Sequence, residues 1–226
     1  MLHTNGEGQP SSESAVDAKQ DSDEASAAER RACAETLTAM ISDEIGRSGI
    51  TSVEAVAEIL DGAYKVGHNN LGMDNSAFQK GGDTIILAGA SENVRMYYAA
   101  VRAGEVDTAG RLAAVLPETV VAKLDEIANN ETRQQFEDGL TSVRTPEEIM
   151  ALIDVAFAGV DQSSLDPDSF HGKLLKAYQF MSAYVNAVEK NLDPALEFSA
   201  AVDVYGIKEK IDAYVEAERE RAVESQ

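Results

Sequence analysis

The chain has 226 residues, of which 44 % are hydrophobic, and a formal net charge of −21 from 40 acidic and 19 basic side chains. That size and apolar content suffice for a packed core without staples. The acidity argues against a protein that coats DNA or RNA through its general surface, because the polyanion needs Lys and Arg to displace its counterions.

The charge is unevenly placed. Residues 1–64 carry 13 acids against 4 bases, residues 65–111 carry 5 against 5, and residues 112–226 carry 22 against 10. Two acidic regions therefore flank a neutral middle. Such acidity fits solubility, a basic partner or a high-salt cytoplasm. Cys33 is the sole cysteine, so no intrachain disulfide forms, and its Ala-rich setting points to inert packing.

Residues 1–25 are rich in Gly, Ser, Gln, Asp and Glu and have almost nothing to bury, which predicts a disordered acidic tail. The N-terminus lacks the apolar stretch of a secretory signal. The folded domain is expected over 26–226. Leu37, Ile41 and Ile45 recur four apart and predict a helix that ends near Gly46 and Gly49. Thr51-x-x-Glu54 reads as a capping box opening a second helix to about Val66, with Val53, Val56, Leu60 and Tyr64 on one face.

Residues 67–83 hold four Gly and three Asn without any period, which predicts a long loop. Thr84–Ala90 is the longest uncharged apolar run, far below the roughly 20 residues a membrane span needs. Ser91 and Glu92 then read as an N-cap and first-turn acid, opening a helix to Ala103. Short pieces between Gly104, Gly110 and Pro117 follow, then a helix over Glu118–Ala128 and another over Thr132–Thr141.

Thr145-Pro146-Glu147-Glu148 is the clearest helix start, with a capping Thr, Pro at the first helical position and Glu at the third. Asp166-Pro167 and Asp193-Pro194 read as two more. Leu174, Tyr178, Met181, Val185 and Val188 make a heptad-like stripe after the first, and Ile207, Ile211 and Tyr214 mark the last helix. The sum predicts an all-α or mainly α protein, a single-domain multi-helix bundle.

Arg95, Tyr98 and Arg102 fall at i, i+3 and i+7 on one predicted helix in the neutral middle, with Arg111 nearby. These four are the candidate ligand- or partner-binding residues. An Arg-Tyr-Arg stripe holds a phosphate or stacks a base; against that, in so acidic a chain the arginines are expected to answer acids on neighbouring helices. The Gly89 bend before Ser91 lacks the remaining glycines of a dinucleotide fingerprint. His171, with Asp166 and Asp168 nearby, has neither EF-hand nor zinc spacing.

No catalytic residue, metal ligand or cofactor is assigned. The preferred function is a non-catalytic structural, assembly or protein-binding protein, acting on itself or on a partner protein. One alternative is a small-molecule or nucleotide-handling enzyme using the 67–92 loop and helix start. Another is a nucleic-acid-associated, coat-like subunit, which the net charge disfavours. A cytoplasmic location without membrane contact is expected.

Overall fold

Helical periods dominate the computed structural model, which describes residues 12–47, 49–71, 77–80, 83–160 and 162–224. Among the described residues there are nine α-helices and one two-stranded hairpin, so the protein is mainly α. The contacts group it into two compact units. One comprises Met1–Tyr97 with Arg111–Leu124, the other Tyr98–Gly110 with Asp125–Gln226.

The first unit is built on α1 (Ser12–Gly46) and α2 (Val53–Leu71). Of the tail expected over 1–25, positions 1–11 lie outside the described residues, and side chains are described only from position 27. Among the described side chains of α1, Ala34, Leu37, Ile41 and Ile45 are buried, a face of period 3.6. It packs on α2, which buries Val56, Ala57, Leu60 and Ala63. Ser52, not Thr51, caps α2: its hydroxyl accepts from the Ala55 amide at 3.3 Å.

The predicted loop over 67–83 is largely ordered structure. Gly67–Leu71 complete α2, and β1 (Ala77–Lys80) pairs antiparallel with β2 (Asp83–Ile86), with Lys80 opposite Asp83. Positions 72–76 and 81–82 are outside the described residues. Phe78 is fully buried, and the Gln79 amide donates to Thr38 Oγ1 on α1 at 2.8 Å.

Three helices follow: α3 (Ala90–Ala103), α4 (Val106–Ala114) and α5 (Glu118–Ser142). Ser91 lies inside α3 rather than capping it. Lys80 donates to the carbonyls of Ala113 and, at 2.7 Å, Leu116, placing a cation at the C-terminal end of α4 where it complements the helix dipole. The two helices expected on either side of Asn129-Asn130 are one. Ile127, Ala128, Phe136 and Leu140 are all buried, and burial of that continuing face outweighs the few tenths of a kcal/mol that each Asn costs a helix.

In the second unit, α6 (Pro146–Ala156), α7 (Phe170–Glu189), α8 (Leu196–Val202) and α9 (Ile207–Glu224) surround one core. The capping box at Thr145 is present. Thr145 Oγ1 accepts from the Glu148 amide at 3.2 Å, and the Glu148 carboxylate accepts from the Thr145 amide at 3.3 Å. The two Asp-Pro starts are displaced. Ser169 caps α7 by accepting from the Gly172 amide, while Asp166 accepts from the Asp168 amide within the preceding turn. Ala195 precedes α8 without a side-chain cap.

α7 is the hub, packed on α6, α8 and α9. Its buried face is His171, Leu174, Ala177, Met181 and Tyr184, whereas Tyr178 is exposed. The heptad-like stripe is therefore mostly spent inside the unit. Tyr184 Oη donates to Asp212 Oδ1 on α9 at 2.7 Å, which satisfies the one polar atom that this buried ring carries.

Candidate functional site

The four candidates from the neutral middle have separate employments. Arg95 belongs to the first unit. Its Nη2 donates to Glu54 Oε2 at 2.9 Å, and Nη1 lies 3.7 Å from Glu92. The bond to Arg95 holds the Glu54 carboxyl below its usual range, and the same bond raises the guanidinium. Arg111 occupies the last turn of α4, where a cation complements the helix dipole.

Tyr98 and Arg102 belong to the second unit. The Tyr98 hydroxyl donates to Glu131 on α5. Burial, helped by that carboxylate, pushes the phenol up to about 12, so it remains a donor at neutral pH. Arg102 donates from Nη1 to Thr132 Oγ1 at 2.7 Å and from Nη2 to Gln135 Oε1 at 2.9 Å. Among the described residues it has no carboxylate partner.

His171 is buried. Its Nε2–H donates to the Ala156 carbonyl at 3.1 Å, since a carbonyl only accepts, and its ring lies between Phe157 and Phe170. Burial pulls its pKa below the ordinary 6.5. Among the described residues, no three His, Cys, Asp or Glu side chains cluster as a metal site requires. Among the described residues no helix is long and apolar enough to cross a membrane.

An apolar concavity of the first unit runs between α1 and α2, and none of the four candidates lines it. One depression of about 530 Å³ is walled by Met40, Ile50, Ile59, Ala63 and Val66. A second of about 440 Å³ shares Met40 and Val66 and continues along α1 to Leu37 and Cys33. Met40 is 43 % exposed and Val66 37 %, high for apolar side chains in a row. Every charged residue lining the two depressions is acidic: Glu29, Glu44 and Glu58. Glu44 is also met by Arg47 at 2.5 Å.

This groove was not read from the sequence. Its signal is the wide apolar face of each helix. On α2, Ile59 and Val66 flank the buried Val56, Leu60 and Ala63, and on α1 Met40 flanks Leu37 and Ile41. Each face is broader than one helix–helix contact consumes. Comparisons with protein families, with curated proteins and with solved structures return no match.

Proposed function

We propose that this is a non-catalytic protein-binding protein whose α1–α2 groove takes an amphipathic helix with basic flanks from another protein. The observation that carries this is the groove itself, a continuous apolar floor sharing Met40 and Val66, with glutamates alone as its charged lining. A helix laid in such a groove buries apolar residues at i, i+3, i+4 and i+7. Lys or Arg on its flanks meets Glu29 and Glu58, which steers association and selects against acidic partners.

The same charge pattern disfavours a second copy as the occupant. Two chains of net charge −21 repel, and the α7 stripe that heptad spacing offers for assembly is mostly buried within its own unit. The test is a titration of a fluorescent Leu/Lys amphipathic peptide. It binds wild-type protein, and Val66→Asp and Met40→Asp weaken it by about tenfold, the scale of one lost apolar anchor. Val155→Asp, at an exposed apolar position of the second unit, leaves it unchanged. Equal binding by all three variants contradicts the proposal.

A further inference from the structure

We propose that the second unit holds a binding site for a small organic carboxylate, at a pocket of about 360 Å³ whose cationic wall is Arg102. This site is independent of the α1–α2 groove. The floor is apolar, with Phe136 2 % exposed, Ala156 buried beside it, and Val101 and Leu152 half-buried around them. The polar side chains of the lining are Arg102, Asn129, Thr132, Gln135 and His171. An apolar cavity with a few convergent polar groups is the usual form of a small-molecule site.

The state of Arg102 carries the argument. In a chain with twice as many acids as bases, this guanidinium is held by two neutral oxygens and, among the described residues, by no carboxylate. Its fixings are themselves fixed. Thr132 Oγ1 donates onward to the Ala128 carbonyl at 2.9 Å, so its lone pairs face the arginine. Glu131, the adjacent acid on α5, is engaged by the Tyr98 hydroxyl. A guanidinium has five N–H donors, and these two bonds leave others available to a ligand carboxylate. The cation is thus oriented without being neutralised, the arrangement that lowers the cost of taking an anion.

The walls are held equally firmly. Gly104, two residues after Arg102, abuts Gly159, which itself lines the pocket: a Cβ on Gly104 would lie 2.7 Å from Gly159 Cα. His171 spends Nε2–H on the Ala156 carbonyl, and its Nδ1 has no partner among the described residues. In that tautomer Nδ1 is an acceptor. The volume equals about twelve waters, which suits a monocarboxylate with a short aliphatic or single-ring body.

The probes are hexanoate, benzoate and the uncharged isostere hexanamide, titrated into the full-length protein and followed by amide chemical shifts. Hexanoate and benzoate shift the amides of Arg102, Thr132 and Gly159 with a Kd of about 1 mM. Hexanamide binds about tenfold more weakly. Arg102→Gln loses about tenfold in carboxylate affinity, Arg102→Lys recovers part of it, and Arg144→Gln, which removes a cation elsewhere, changes nothing. Circular dichroism confirms that each variant is folded. Should Arg102→Gln fail to fold, the comparison of hexanoate with hexanamide and the behaviour of Arg102→Lys decide the matter. The proposal is overturned by carboxylates that leave the pocket amides unmoved at about 20 mM, by hexanamide binding as well as hexanoate, or by a folded Arg102→Gln that binds as wild type.

Discussion

Gly104 and Gly159 meet backbone to backbone. Each has a positive φ, +70° and +77°, and neither leaves room for a side chain against the other. Gly104 ends α3, with its amide bonded to the Val101 carbonyl, and Gly159 follows α6. The contact closes the chain around the Arg102 pocket within the second unit. Only residues lacking Cβ allow both the left-handed conformation and this approach.

Substitution at this contact separates strain from collision. Gly89→Ala has a similar φ of +77° but open space around it, so it costs about 1–2 kcal/mol, the left-handed penalty alone. Gly159→Ala adds a backbone collision and should cost at least about 1 kcal/mol more. Urea unfolding of both variants checks this, and equal losses would mean the two backbones separate easily.

Thr145→Ala should cost about 1 kcal/mol, because it removes the hydroxyl that accepts from the Glu148 amide. Thr145→Ser should be nearly neutral. The readout is the unfolding midpoint. No change in Thr145→Ala would show that the Glu148 carboxylate holds the helix start unaided.

His171 makes stability depend on pH in a defined window. Burial favours its neutral form, so its folded pKa lies below the ordinary 6.5. As pH falls through about 6.5, the unfolded chain takes up a proton that the folded chain refuses. Stability contributed by the neutral ring is therefore complete above that value and declines on acidification towards the folded pKa. Melting temperature measured between about pH 5 and 7.5 should fall on the acid side, and His171→Gln should flatten that slope. The Glu54 carboxyl, held down by Arg95, is lost only further into acid, and so is separable.

Much of the helical architecture is legible in the residues. The Thr145-Pro146-Glu147-Glu148 start is read correctly because capping is local, and Leu37, Ile41 and Ile45 mark the buried face of α1 directly. The hairpin is not, since two strands of four residues are too short to show alternation amid Gly and Asn. The unbroken α5 was missed because Asn129 and Asn130 look like punctuation, whereas tertiary burial on either side decides the matter. Both Asp-Pro pairs lie a few residues before their helices, Pro167 in the turn ahead of α7 and Pro194 in the irregular segment ahead of α8. Of the binding features, Arg102 stands out in sequence as a cation in a neutral stretch. Its neutral partners Thr132 and Gln135, and the pairing of Met40 with Val66, exist only once the chain is folded.

Cys33 provides the most direct measurement on the central proposal. It is the only thiol of the chain, it is partly exposed, and it lines the α1 end of the groove. Burial raises its pKa, so it reacts slowly, but its environment makes it a native reporter of groove occupancy. The rate of its modification by a disulfide reagent is measured with and without saturating Leu/Lys amphipathic helix. A bound helix should slow the reaction at least about tenfold in wild type and have little effect in Val66→Asp, by mass action on the blocked state. An unchanged rate with the peptide fully bound would place the peptide elsewhere on the protein and contradict the assignment of the α1–α2 groove.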